Sequence, residues 1–374
     1  MRIGIDVREL SGHATGVGRF LGGLLREWSN RSLPRSHEFL LYAPGPLRIA
    51  LDPRRFRTRE VAGIPSTRWG SQRGSRAGGP TWWEQMRLPA AIASDQLDVF
   101  FAPAYTAPLR VKVPIVAAIY DLSYVAHPEW FRLREGLRRR WVTQRTAEKA
   151  QAVITLSEFS RGEIINLLSV PEQRVHAIVP GIDRPAVKPS VHGGARVLYA
   201  GSIFNRRHVP DLIRAISTLR RTRPDLSLDI AGDDRTFPHE DLKSTIANLG
   251  LDGHVRWHRY VTDDQLLELY GQARAFAFLS EYEGLGMTPL EALAAGVPPV
   301  VYDTAVARES YADAALYVPV GDGAGVVRAL ERALFDEQTR AAILAAAPAT
   351  LARYDWPRAA RETLAIIEAA ARSG

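Results

Sequence analysis

The 374-residue chain contains no cysteine. That excludes disulfides, thiolate nucleophiles and cysteine-based metal sites, and it suits a reducing, cytosolic setting. Nowhere is there an uninterrupted apolar run of the ~18 residues that a membrane-spanning helix needs. The first ten residues, MRIGIDVREL, alternate like a strand and lack the apolar core of a secretory signal. No His/Asp cluster has metal-ligand spacing, so neither a metal nor another cofactor is expected. No nucleic-acid recognition motif accompanies the basic residues either, so nucleic acid is not an expected partner.

What is present fits two globular domains. Apolar residues make up 46% and charged residues 24%, enough for two cores at about 150 residues per domain. The net charge of +7 is uneven. Residues 1–185 hold 27 Lys/Arg against 17 Asp/Glu, a net of +10, and the rest of the chain is at −3. Phosphates or an anionic lipid surface suit such a half, and simple solubility explains it equally well.

Strand-like and helix-like stretches alternate throughout. Ile3, Ile5 and Val7 alternate, and then Val17, Phe20, Leu21, Leu24, Leu25 and Trp28 share a helical face. Residues 38–43, 98–103, 114–121 and 152–157 read as strands covered on both faces. Residues 54–80, rich in Arg, Gly and Ser, read as an exposed loop. Residues 181–194 read as a linker. The alternation restarts with strands at 196–201, 226–232, 254–260, 275–280 and 298–303. This order predicts an α/β fold of two Rossmann-like, doubly wound parallel sheets. The domains are expected at 1–183 and 184–355, with a last helix from Trp356. Such sheets bind ligands beyond the carboxyl ends of their strands, so two of them are expected to face each other across a cleft.

The densest motif, SEYEGLGMTPLE (280–291), follows the strand at 275–280. Gly284 and Gly286 let a backbone approach a ligand closely. Pro289 marks a first helical turn, which places the amides of Met287 and Thr288 at a helix N-terminus suited to a diphosphate. Glu283 lies before the helix and Glu291 inside it. Carboxylates there can accept hydrogen bonds from paired hydroxyls. A first-turn acid and a solvated loop acid would be the plainer explanation of an isolated pair.

SEYEGLGMTPLEALAAGVPPVV is similar to the E-x7-E signature of glycosyltransferase family 4, S-x-x-E-G-F-G-L-P-x-L-E-A-M-A-x-G-x-P-V-V. Leu285, Met287 and Thr288 depart from it, and the glutamates and glycines are kept. AGSIFNRRHVPDLIRAI resembles the family's G-T-L-x-x-R-K-N segment. DLSYVAHPEWF, TLSEFSRGEI and VPGID resemble its N-terminal domain and linker. The resemblance implies the GT-B fold and retaining, metal-independent transfer of a hexose from a nucleoside diphosphate. Mannose is the leading sugar. The implied acceptor is a glycan or lipid-linked saccharide, in cell-surface polysaccharide or glycolipid synthesis. The resemblance also implies that the last helix, 356–374, packs back on the N-terminal domain.

By position, the resemblance assigns Arg206 and Arg207 to the diphosphate clamp, Glu291 to the ribose and Glu283 to the transferred sugar. Ser202, Gly284, Leu285, Gly286, Met287 and Thr288 fall around sugar and phosphate, and Tyr260 and Val261 around the nucleobase. Gly16 and Gly18, with Val17 and Arg19, resemble a Gly-rich loop between the first strand and the first helix. Tyr120-Asp121 stands where many relatives have His-Asp, positioning sugar or acceptor. A tyrosine there does not titrate near neutral pH, and His127 is not expected to replace the missing histidine.

Residues 132–149 form a basic stretch, with Leu133, Leu137, Trp141 and Val142 on one face. It suits an anionic membrane surface or a plain solvated helix. Three rivals remain: a nucleotide-sugar epimerase on the same fold, a non-catalytic nucleotide-sugar-binding protein, and a dinucleotide dehydrogenase. The last lacks the acidic residue expected ~20 residues beyond its glycines.

Overall fold

The structure, a computed structural model, describes residues 1–12, 16–30, 37–47, 49–62, 80–183 and 194–373. Its strands arise where the sequence runs apolar. The first sheet has β1 (Arg2–Asp6), β2 (Glu38–Ala43), β3 (Phe56–Glu60), β4 (Val99–Ala102), β5 (Ile115–Ala118), β6 (Ala152–Thr155) and β7 (Val175–Ala177). The second has β8 (Arg196–Ala200), β9 (Ser227–Ala231), β10 (Val255–His258), β11 (Ala275–Phe278), β12 (Pro299–Tyr302) and β13 (Leu316–Val318). Spatial order is β3-β2-β1-β4-β5-β6-β7 in one and β10-β9-β8-β11-β12-β13 in the other. Every pairing between these strands is parallel.

All residues of β4, β5, β6, β11 and β12 are buried, as expected of parallel strands covered on both faces. The order reverses between β1 and β4 in the first sheet and between β8 and β11 in the second. Such switch points open a crevice at the carboxyl ends of the flanking strands.

The chain divides into two compact units, Met1–Val125 with Arg134–Gly181 and Asp355–Gly374, and Ala126–Leu133 with Ile182–Tyr354. The Trp356–Arg372 helix belongs to the first unit, where it packs on the Gly16–Ser29 helix and on β4, β5 and β6. Trp28 anchors it by donating Nε1–H to the Ala360 carbonyl at 2.9 Å.

Three expectations need correction. Residues 54–80 are not all loop, because β3 pairs with β2 from Phe56 to Glu60. Only Phe56 of that edge strand is buried, so its sequence carries almost no apolar signal; residues 63–79 lie outside the described residues. Gly16, Val17, Gly18 and Arg19 form the first turn of the Gly16–Ser29 helix rather than a loop. Glycine is a poor helix former, but the buried Phe20, Leu21, Leu24, Leu25 and Trp28 carry the helix. Val142 is buried, away from the exposed Leu133, Leu137 and Trp141. Residues 184–193 of the expected linker are outside the described residues.

Candidate functional site

The site lies at the switch point of the second sheet. β8 ends at Ala200, and the chain turns through Gly201 and Ser202 into a short 3-10 turn, Asn205–Arg207. The turn is close to its neighbour: a Cβ on Gly232 would sit 1.9 Å from the Gly201 carbonyl oxygen. β11 ends at Phe278 and leads through Ser280 and Glu283 to the Met287–Ala294 helix.

These two strand ends meet. Arg207 donates from Nε to Glu283 Oε1 at 2.7 Å and from Nη1 to the Ser202 carbonyl at 2.8 Å. Its guanidinium lies over the Phe278 ring, 4.8 Å from the centroid. Ser280 Oγ donates to the same Glu283 oxygen at 2.9 Å. The Glu281 amide donates to the Arg206 carbonyl at 3.0 Å. Burial alone would raise the Glu283 pKa. Arg207, then Arg206, and the hydrogen bonds overcome it and hold the carboxyl below its ordinary 4.5. Glu283 is therefore an anion at neutral pH.

Arg206 differs from Arg207. It is only 7% exposed, yet its Nε has no hydrogen-bond partner among the described residues. The nearest carboxylate contact is 3.9 Å, to the Glu283 oxygen that Arg207 already holds. Its guanidinium rests over Phe204 at 4.5 Å. Two cations thus share one buried carboxylate. Such a surplus is costly unless an anion joins it.

Glu291 lies in the second turn of its helix, and Tyr270 donates to it at 3.3 Å. Gly286 caps the helix at φ 83° and ψ 73°, a left-handed conformation that favours glycine. The N–H groups of Gly286, Met287 and Thr288 find no backbone acceptor among the described residues. Thr288 Oγ1 is buried with no partner there. Unmatched amides at a helix start suit an anion.

The structure thus brings together Ser202, Arg206, Arg207 and Glu283, and continues from Glu283 through Gly284 and Leu285 to Glu291. Tyr260 and Val261 follow the edge strand β10, two places from β8, with Tyr260 61% exposed. Gly16, Gly18, Tyr120 and Asp121 belong to the other unit. Tyr120 is enclosed there: its ring packs edge-on against Phe20 and Tyr105, and its hydroxyl donates to the Pro103 carbonyl. A tyrosine so held fills space rather than presenting its hydroxyl to a sugar. Asp121 is half-buried and accepts from Tyr105 Oη at 3.0 Å and Ser123 Oγ at 2.7 Å. Sequence reasoning missed Ser280 and Tyr270. Ser280 lay within the quoted motif, but no local signal marks Tyr270. Among the described residues no group of three His, Asp or Glu could hold a metal ion.

This geometry defines a parallel-sheet α/β protein with a candidate anion site at a strand-order reversal. Comparison with known proteins gives the same class. The family model described as Glycosyl transferases group 1 matches residues 184–350, and that described as Glycosyltransferase Family 4 matches residues 14–186. The chain belongs to the family-4 glycosyltransferases. It is 25% identical over 279 residues to the O-antigen chain mannosyltransferase B of Escherichia coli, covering 71% of this chain and 73% of that protein. It is 26% identical over 311 residues to a GDP-mannose:cellobiosyl-diphosphopolyprenol alpha-mannosyltransferase of Xanthomonas oryzae, covering 79% and 78%. The sucrose-phosphate synthase of Thermosynechococcus elongatus shares the fold at TM-score 0.80 and 15% identity, with all of both chains covered. The fold is GT-B.

Proposed function

We propose that this glycosyltransferase moves mannose from GDP-mannose to a glycan or lipid-linked saccharide, with retention and without a metal. The observation that carries the reading is the buried Arg206, whose Nε has no hydrogen-bond partner among the described residues, beside the Arg207–Glu283 pair. It leaves a positive surplus where a diphosphate would develop charge on departure. Arg206, Arg207 and the amides of Gly286 to Thr288 stabilise that charge. The bond from the anomeric carbon to phosphate oxygen breaks while the acceptor oxygen bonds on the same face. The acceptor proton passes to the leaving phosphate, so no protein nucleophile takes part. Glu283 faces the positive charge that builds on the sugar, and Glu291 holds hydroxyls of the ribose. The named activities of the two mannosyltransferase relatives support the choice of sugar.

The reading extends to a peripheral position on the cytoplasmic face of a membrane. The Leu133–Lys149 helix exposes Leu133, Leu137 and Trp141, spaced four residues apart, among exposed Arg134, Arg138, Arg140 and Arg145. Trp82 and Met86 are also exposed, and Arg138 bonds Thr81 Oγ1 beside them. No helix among the described residues is long and apolar enough to cross a membrane.

A panel of GDP-, UDP-, ADP- and dTDP-sugars tests the donor. The cognate donor at 100 times its Kd should stabilise the protein by about 2.7 kcal/mol and give transfer to acceptor with retention. Stabilisation by none of them would end the reading. Binding without transfer to any acceptor would favour a non-catalytic protein.

A further inference from the structure

The turn between Glu283 and the Met287–Ala294 helix is held from behind. Ser310 Oγ donates to the Leu285 carbonyl at 2.8 Å, and Tyr311 Oη donates to the Gly286 carbonyl at 2.9 Å. Both are fully or nearly fully buried. They are consecutive residues of the Ala305–Tyr311 helix, and they take consecutive carbonyls of the turn. That helix is itself anchored, because Tyr354 Oη donates to the Ser310 carbonyl at 2.8 Å. The fit leaves no slack: a Cβ on Gly286 would lie 2.1 Å from Tyr311 Oη.

Peptide geometry converts this anchorage into an orientation. In a planar trans peptide the C=O and the following N–H point in opposite directions. Holding the Leu285 and Gly286 carbonyls against Ser310 and Tyr311 therefore turns the Gly286 and Met287 N–H groups away from them. Those two N–H groups are among the ones that find no backbone acceptor. Without the two hydroxyls a glycine-flanked turn could rotate its peptide planes at little cost.

We infer that Ser310 and Tyr311 are positioning residues that aim the amides of Gly286 and Met287 at the donor diphosphate. The inference rests on the function proposed above. The two hydroxyls touch no substrate. They fix in advance the direction of donors that would otherwise reorganise as charge develops, and preorganisation is what makes such donors effective. Burial pushes the Tyr311 pKa well up, so its hydroxyl stays protonated and keeps donating at every working pH.

The test compares Tyr311→Phe, Ser310→Ala and a control, Tyr42→Phe. Tyr42 lies in the other unit and donates to Asp95 Oδ2 at 2.6 Å. The control also loses a hydrogen bond of an enclosed tyrosine, so it reports the cost of that loss on stability alone. All assays run well below the lowest Tm. Affinity for GDP and UDP is measured alone, and kcat and KM with the donor that binds. We expect Tyr311→Phe and Ser310→Ala each to lower kcat about tenfold or more, since small misplacements at reacting groups cost up to 100-fold. Nucleoside-diphosphate affinity falls with them, while Tyr42→Phe loses Tm and keeps kcat. If the wild type binds the nucleotide and both site variants match it in kcat and affinity, the inference fails and the proposed function stands. If Tyr42→Phe loses kcat equally, the effect is general loosening and the inference fails. If the wild type binds no nucleoside diphosphate, both fall together. Should Tyr311→Phe not fold, Ser310→Ala, which removes one oxygen, decides the matter.

Discussion

Arg207 and Glu283 are joined by a 2.7 Å hydrogen bond between side chains that are each 13% exposed. They come from loops at the ends of β8 and β11, which are neighbours in the sheet. The bond fixes the spacing of the two loops and leaves Arg206 as the cation without a carboxylate of its own. Removing one partner of an enclosed ion pair typically costs about 3–5 kcal/mol, because the other charge is stranded. On the proposed function, activity and stability are coupled at this pair.

Charge reversal at Arg207 exposes that coupling. Arg207→Glu sets a second carboxylate against Glu283 and removes one of two cations. Transfer should fall at least about 100- to 1000-fold, with a lowered Tm. A folded Arg207→Glu enzyme with wild-type kcat/KM would show that the site is misplaced.

The two glutamates should separate kinetically. On the proposed function, Glu291→Gln weakens contacts to the ribose that are the same in the ground and transition states, so KM should rise and kcat change little. Glu283→Gln removes a charge that matters as the sugar becomes positive, so kcat falls. Steady-state kinetics with the cognate donor decide. A Glu283→Gln change confined to KM would reverse the roles.

His208 makes stability depend on pH. Burial lowers its pKa, but Asp211 and Glu281, at 3.2 and 3.3 Å, raise it further, to a net value above 6.5. A raised histidine stabilises the fold fully below its unfolded pKa and loses that contribution as pH rises through the folded one. The Tm gap between wild type and His208→Asn should be largest near pH 6 and shrink toward pH 9. A gap that does not change with pH would exclude a charged His208.

Gly181 faces the last helix. A Cβ there would lie 2.2 Å from Trp356 Cγ, and the indole cannot bend aside. Gly181→Ala should cost about 1–3 kcal/mol of stability. Gly162, in the Glu158–Leu168 helix with open space around it, is the contrast. Gly162→Ala should be neutral or stabilising by up to about 1 kcal/mol. Denaturant unfolding of the two variants measures both, and equal midpoints would refute the packing argument.

Membrane attachment should be electrostatic. Flotation with anionic vesicles should capture the protein at low salt and release it as salt screens the charges. Leu137→Ser with Trp141→Ser should weaken capture. Equal capture by neutral and anionic vesicles would rule out the electrostatic version.

The doubly wound order was legible because a buried parallel strand is apolar throughout, as in VFFA of β4 or AFAF of β11. β3 was hidden because four of its five residues, RTRE, face water or the edge. The short β7 and β13 gave no usable pattern. Glu283 and Glu291 were legible as a local motif between a strand and the helix after it, and Arg206 and Arg207 through the family resemblance. Ser310 and Tyr311 were not, since each acts 25 residues away along the chain, and only the packing of the Ala305–Tyr311 helix against the turn reveals them. Tyr120 could be located from sequence, but the direction of its hydroxyl could not.

The return of the Trp356–Arg372 helix to the first unit sets an order of events during synthesis. β4, β5 and β6 emerge from the ribosome about 200 to 250 residues before the helix that covers them. Meanwhile Ile182–Tyr354, an unbroken stretch, can complete its own sheet. The half that is made first is thus the half that finishes last, and it waits with an apolar face bare. Transiently exposed apolar surface invites aggregation, so a nascent chain stalled just short of Trp356 is the form of this protein most in need of a chaperone.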